Sequence, residues 1–296
     1  VDIFIHSKNF KARPSQEGQL LCQLYGDKME VESFNVYTGG GASNTSVGFS
    51  RLGLKAGIIC ETGRDRFSEL VMRDLQDEGV GTKLVIDEKK EQTGGSVILV
   101  GLDGGRTVMV HRGASSMLDP YDISSYWLSQ AQWIHLSSIA GRKKTLNKIF
   151  KLVTRTPDLD MSWNPGKKEL GLLATREVLP EEVPAKVFIV NKMEWNMLDS
   201  VQTDVLAKIE QVVITDGKKG GDVYKHGDHK LHYQALSKKT TDNTGAGEAF
   251  CSGYVTGQIL GKSLEESVEI GAKNAASVVQ SYGAKAGLLT QDQLKN

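Results

Sequence analysis

The sequence predicts an α/β fold, a mostly parallel sheet flanked by helices with a small β-lid. Three observations predict it. Strand-like and helix-like segments alternate through the second half of the chain, as they do where crossover helices join parallel strands. Before that, two apolar runs in "GGSVILVGLDGGRTVMVHRGA" flank a glycine-rich turn and read as a hairpin, which breaks the alternation. The chain has 296 residues and 39% hydrophobic content, enough for one large domain with its own core.

In order, "VDIFI" reads as a short strand and "VESFNVYT" as strand-like, with mixed sequence between them. "GGGASNTSVGFSRLGL" is a glycine turn followed by a helix whose apolar positions include Val47, Phe49, Leu52 and Leu54, with Gly53 as its stop. "KAGIICETG" reads as a buried strand. "FSELVMRDLQDEGV" is an amphipathic helix ending at Gly79. After the hairpin, "QWIHLSS" is a strand, "RKKTLNKIFKLVTR" a basic helix and "PDLDMSWNPG" a strand entering a loop. "AKVFIVNK" and "QVVITDG" are strands with helical pattern between them, and "GDVYKHGDHKLHYQAL" is a second hairpin turning at Gly227-Asp228. "GEAFCSGYVTGQILG" and "SLEESVEIGAKNAASVVQSY" are the closing helices. No internal repeat or long linker divides the chain. The expectation is one domain over residues 1–296, with lid segments at about 3–38 and 93–112.

Composition narrows the function. Lys+Arg and Asp+Glu balance at 36 each, so no nucleic-acid partner is expected. Cys22, Cys60 and Cys251 lie far apart without CxxC spacing, which fits a reducing, cytoplasmic setting rather than a disulfide framework. No apolar run approaches the roughly 20 residues of a membrane helix, so no membrane partner is expected, and no secretory signal is visible. His226, His229 and His232 recur at intervals of three in "HGDHKLH". In a hairpin, residues three apart face opposite sides, and no cysteine accompanies them, so a metal site is not expected there.

Four stretches carry chemistry. In "DNTGAGEAF", Gly245 and Gly247 permit a tight or left-handed backbone, and the helix that follows presents free N–H groups and a positive dipole end. Those features suit an anion that gains charge in a transition state. Glu248 stands at the mouth of that pocket, where a carboxylate can take the proton of an attacking hydroxyl. Its plainer role is to complement the helix dipole. In "GGGASN", the glycines let a ligand approach the backbone, and Asn44 offers donor and acceptor to a polyhydroxylated substrate. "NKME", Asn191 to Glu194, follows the strand "VFIV", and ligands gather at strand carboxyl ends in open α/β sheets. That pair suits Mg²⁺ held through waters. In "TDGKKGG" the glycines suit a nucleotide lying on the backbone, with Lys218 or Lys219 near phosphate; a solvated turn is the alternative.

The four stretches in this order resemble the ribokinase/PfkB family of carbohydrate kinases over almost the whole chain. The resemblance implies a ribokinase-like (Rossmann-like) domain whose β-lid closes over a sugar and is often shared across a homodimer. It implies transfer of the ATP γ-phosphoryl group to a hydroxyl of a sugar or related polyol, with Mg²⁺ and often stimulation by K⁺. Position by position, it makes Asp2, Gly39, Gly40, Asn44 and Arg112 substrate contacts and Gly245, Ala246 and Gly247 the anion hole. Asn191 and Glu194 match the Mg²⁺–phosphate motif. Thr215, Gly217 and Gly220 match the nucleotide turn, and Asn274 a position near the adenine. Asp242, Thr244, Ala284 and Gly287 fall where the family gathers ligands for K⁺.

The sequence departs from the family in two places. The family motif ends in Asp, its general base; here the residue is Glu248, one methylene longer. That leaves three outcomes: a base in a shifted pose, a poor base, or a protein that binds ligand without transfer. Second, the family's early aspartate follows a first strand of the central sheet. Either that strand lies upstream of the sequence, or "VDIFI" takes its place and Asp2 is not the counterpart. A nucleoside is the alternative substrate class; the absence of Phe, Tyr and Trp from residues 93–112 leans toward a sugar.

Overall fold

The computed structural model describes residues 1–16, 18–101, 105–236 and 240–295. In chain order the strands are β1 (Asp2–His6), β2 (Lys11–Ser15), β3 (Gly18–Cys22), β4 (Ser33–Tyr37), β5 (Gly57–Thr62), β6 (Gly81–Asp87), β7 (Gly95–Val100), β8 (Arg106–His111), β9 (Trp133–Leu136), β10 (Asp160–Trp163), β11 (Val187–Asn191), β12 (Gln211–Thr215), β13 (Gly221–Lys225) and β14 (Asp228–Tyr233). The helices are α1 (Gly41–Arg51), α2 (Arg66–Asp77), α3 (Ser125–Leu128), α4 (Lys143–Arg155), α5 (Lys167–Ala174), α6 (Lys192–Asn196), α7 (Gln202–Lys208), α8 (Ala246–Ile259), α9 (Leu264–Val278) and α10 (Gln291–Lys295).

The central sheet has six strands in the order β14-β13-β12-β11-β10-β9. β9 to β12 run parallel, and the β13–β14 hairpin closes one edge antiparallel. Period-2 alternation in β11 divides the core between the two faces. Phe188 and Val190 join Leu146, Ile149, Phe150 and Val153 of α4 on one face. Val187 and Ile189 join Phe250, Tyr254 and Val255 of α8 on the other. Sheet residues buried on both faces explain the near-continuous apolar runs "VFIV" and "QVVIT". Each fully buried large apolar side chain contributes about 1.5–3 kcal/mol.

The segments assigned to the lid form a separate four-stranded sheet, β4-β1-β7-β8. β7 and β8 pair antiparallel as the hairpin reading requires, while residues 102–104 of its "LDGGR" turn lie outside the described residues. "VDIFI" therefore does not take a place in the central sheet. It runs antiparallel to β4 and parallel to β7.

Two pieces escaped the sequence reading. β5 pairs with β6 in a parallel two-stranded sheet, and the run "GTKLVID" that forms β6 was not recognised as a strand. β2 and β3 form a small hairpin within what read as mixed sequence. The histidines of "HGDHKLH" also depart from the strict alternation expected of a hairpin. An irregularity at Val223/Tyr224 shifts the β13–β14 register, so His229 and His232 both meet the Asp222 carboxylate, at 2.9 and 3.0 Å. Such a bulge rotates one residue out of alternation. Among the described residues, no group of three or more His, Cys, Asp or Glu has metal-binding geometry, and no helix is long and apolar enough to cross a membrane.

α8 and α9 pack closely because small residues face each other. A Cβ on Gly253 would sit 2.7 Å from Gly271 Cα and 2.8 Å from Ile270 O, inside van der Waals contact with backbone that cannot step aside. Gly253→Val is expected to lower the unfolding free energy by about 1–3 kcal/mol through overpacking, read from the midpoint shift in urea denaturation.

Candidate active site

Two glycine turns meet because two helices meet. α1 packs on α8, and Gly48 makes this possible, since a Cβ there would lie 2.3 Å from Ser252 Oγ. Their N-termini are thereby side by side. Gly40, at φ 99°, precedes α1, and Gly245, at φ 80° and ψ 0°, precedes α8. Gly245 is doubly constrained: its backbone is left-handed, and a Cβ would fall 2.5 Å from Ala284 Cβ. Ala246 and Gly247 open α8 itself, so their backbone N–H groups belong to the unpaired first turn.

Glu248 lies in that first turn, half-buried, with Oε1 3.9 Å from the position of a Cβ on Gly41. Burial pushes its carboxyl above the ordinary glutamate range. The negative charges of Glu194 and Asp2 push it the same way, against a hydrogen bond with its own backbone N–H. The field at Glu248 thus identifies three acids converging from three distant parts of the chain.

Asp2 reaches the site from β1. Its Oδ1 accepts from Ser96 Oγ, and its Oδ2 packs so closely on Gly39 that a Cβ there would lie 2.2 Å away. Asn44 is 5% exposed on α1 and its Oδ1 has no partner in the structure, an expensive state unless a ligand supplies a donor. Arg112 is exposed just beyond β8, two residues past Val110, which pairs with Ser96.

Asn191 and Thr215 are register partners at the carboxyl ends of β11 and β12. "NKME" is also a capping box for α6: Asn191 Oδ1 accepts from Glu194 N, and Glu194 Oε2 accepts from Asn191 N, both at 2.9 Å. The box fixes Glu194 where its charge is felt at Glu248. Gly217 and Gly220 bracket a short turn after β12, and Gly220 is required by the fold, since a Cβ would overlap Tyr233 O.

One assignment needs correction. Asn274 does not face a nucleotide. It is 0% exposed, its amide nitrogen donates to Ala249 O and Ser252 Oγ, and its oxygen accepts from Leu289 N. Its hydrogen-bonding capacity ties α9 to α8 and to the chain after it. At the positions assigned to K⁺, the Asp242 carboxylate is already engaged within the fold. Asp242 Oδ1 already accepts from Thr244 N, Thr244 Oγ1 and the Arg106 guanidinium, and its Oδ2 accepts from Gly283 N. Ala284 packs against Gly245, and Gly287 against Ser277 and Val278.

Four residues were missed. Ser137 follows β9, is 8% exposed, and has an unpartnered Oγ 3.2 Å from the position of a Cβ on Gly41. Its location at a strand carboxyl end was the available signal. Buried Glu169 holds the loop after it by accepting from Ile139 N, Gly141 N and Ser138 Oγ. Lys285 Nζ donates to Thr38 Oγ1, Ser43 Oγ and Asp74 Oδ2, clamping both flanks of the first glycine turn to the loop behind the second. Arg106 had no local signal, for its contact spans 136 positions.

Acids and two helix N-termini converge at the carboxyl edge of an α/β sheet, an arrangement that suits a phosphorylated small molecule. Comparison with known proteins gives the family. The model of the pfkB family of carbohydrate kinases matches residues 5–291, and the chain belongs to that family. It is 30% identical over 254 residues to an uncharacterized sugar kinase of Archaeoglobus fulgidus, covering 82% of this chain and 98% of the relative. The nucleoside kinase of Methanocaldococcus jannaschii, an archaeal member of the ribokinase family, superposes with TM-score 0.81 at 21% identity, covering 99% of this chain and 93% of that one. Arabidopsis thaliana ribokinase complexed with ribose and ATP superposes with TM-score 0.78 at 19% identity, covering 99% and 94%. The fold is ribokinase-like.

The raised pKa of Glu248 has a consequence for stability. A carboxyl whose folded pKa exceeds its unfolded value holds more protons when folded, so its contribution is full at acid pH and is lost as pH rises through the folded value. Glu248→Gln removes this loss. The variant is expected to gain thermal stability over the parent as pH climbs from the ordinary glutamate value of 4.5, and to match it at more acid pH. Melting temperatures of both proteins across pH check this.

Proposed function

We propose that the protein transfers the γ-phosphoryl group of ATP to a hydroxyl of a sugar or closely related polyol. The observation that carries this is the position of Glu248: a half-buried carboxyl one turn from a left-handed glycine loop, beside Gly41, in the field of Glu194 and Asp2. The raised pKa brings a carboxylate nearer to the basicity that proton abstraction near neutral pH needs.

In this reading the acceptor hydroxyl lies against Glu248, which takes its proton as the oxygen attacks phosphorus. The N–H groups of Gly245, Ala246 and Gly247 and the dipole of α8 stabilise the charge on the transferring group. Asp2, Asn44 and Ser137 hold other substrate hydroxyls. Asp2 packed on Gly39 and the open space beside Gly40 present the first glycine turn to the sugar, with Arg112 at the rim. Asn191, Thr215, Gly217 and Gly220 flank the nucleotide. The negative field at Glu194 fits Mg²⁺ held through waters, and the ion when bound supplies neutralisation of the β- and γ-phosphates. The four-stranded sheet acts as the lid that excludes water as a competing acceptor. Its outer face exposes Phe34, Val36 and Met109, which suits a homodimer through the lid. All three cysteines are free, as suits a cytoplasmic protein.

A second reading, ligand binding without transfer, is favoured by the length of Glu248, because reacting groups tolerate little misplacement. ADP release from Mg-ATP over a panel of pentoses, hexoses, sugar acids and nucleosides separates the two. The parent is expected to turn over a sugar, with an acid limb in its pH–rate profile above the ordinary glutamate range. Glu248→Gln is expected to lose about 10²–10⁴-fold in kcat. A parent silent on every compound, with turnover appearing in Glu248→Asp, establishes the second reading instead.

A further inference from the structure

Asp242 heads the loop that ends in Gly245, and its side chain is 4% exposed. A carboxylate buried to that degree needs compensating charge. Among the described residues its ion-pair partner is Arg106, whose Nη1 donates to Asp242 Oδ1 at 2.7 Å and to Thr244 Oγ1 at 2.9 Å. Thr244 in turn donates to the same Asp242 oxygen through its N–H at 3.0 Å and its hydroxyl at 2.7 Å. Gly283 N donates to the other oxygen at 3.2 Å. The guanidinium therefore sits at the centre of the contacts that shape the residues just before Gly245.

Arg106 does not belong to that loop. It is the first residue of β8, the edge strand of the four-stranded sheet, and pairs with Val100. The same sheet touches the loop behind Asp242 twice more: His6 meets the Tyr282 ring edge-on at 4.8 Å, and a Cβ on Gly283 would contact the Tyr37 ring at 3.1 Å. A cleft of about 500 Å³, lined by Phe4, His6, Arg106, Asp242, Asn243 and Tyr282 among others, opens beside the ion pair and gives small ions access to it. A guanidinium does not lose its charge at any pH a protein survives, and here it is carried on a covalent tether.

We propose that Arg106 is a positioning residue that serves as a built-in cation for the glycine loop, in the place where a monovalent metal ion would otherwise bind, so that docking of the four-stranded sheet and ordering of the loop form one equilibrium. Its consequence for turnover rests on the kinase reading; the cation claim itself does not. The parent is indifferent to the identity of the monovalent cation. Removing the guanidinium leaves a buried, uncompensated carboxylate with an open route to it, and creates a response to added K⁺ or guanidinium that the parent lacks.

The test is thermal unfolding of the full chain in KCl and in choline chloride at equal ionic strength, for the parent, Arg106→Ala and Arg106→Gln. ADP release is measured alongside. The parent is expected to melt at the same temperature in both salts. Each variant is expected to melt lower in choline and to recover by roughly 2–4 °C or more in KCl, or in low millimolar guanidinium chloride, as a native-state ligand requires. A variant that folds only with K⁺ supports the proposal in the same way. A K⁺-specific rise in the parent overturns it, because the ion then binds with Arg106 in place. Variants that respond to neither cation also overturn it, because Asp242 then needs no cation. If ADP release fails for every substrate, the kinase reading falls while the melting data still decide the cation claim.

Discussion

The buried carboxylate of Asp242 cannot be left without donors, and satisfying it brings three parts of the chain together. Thr244 turns back onto it from the next residues, Gly283 approaches from the far side, and Arg106 reaches it from another sheet. The loop that results places Gly245 in a left-handed conformation against Ala284 and starts α8 with its free N–H groups at the site. Lys285, one residue beyond Ala284, extends the arrangement to Thr38 and Ser43 around the first glycine turn. The two turns share a support because buried charges must be paired.

Within that frame Glu248 is under opposing demands. Burial and two neighbouring acids favour its protonated form, whereas proton abstraction needs the carboxylate. In the proposed reaction, a divalent cation held near Glu194 would favour the ionised form of Glu248. Catalytic groups are held in such environments at a cost in stability.

What the sequence disclosed was local. "GGGASN" and "DNTGAGE" were readable because a glycine turn entering a helix is written in consecutive residues, and the strands β9 to β12 were readable because burial on both faces leaves unbroken apolar runs. β6 was missed because "GTKLVID" is only partly buried and exposes Lys83 and Asp87. The histidine reading assumed strict alternation, which the bulge at Val223/Tyr224 breaks. Asn274 was placed near the nucleotide by motif position, but its amide serves the packing of α8 on α9. Arg106 and Ser137 enter the site through tertiary contacts that no spacing rule encodes. The hydrogen bond between Arg106 and Asp242 joins residues 136 apart.

The most direct measurement is a crystal structure of the protein with a sugar that it binds, Mg²⁺ and a non-hydrolysable ATP analogue. The account predicts the terminal phosphate against the backbone N–H groups of Gly245 to Gly247, with a sugar hydroxyl within hydrogen-bond reach of the Glu248 carboxylate, about 2.6–3.2 Å. A nucleotide bound away from that loop, or a sugar whose hydroxyls all lie beyond reach of Glu248, would contradict it.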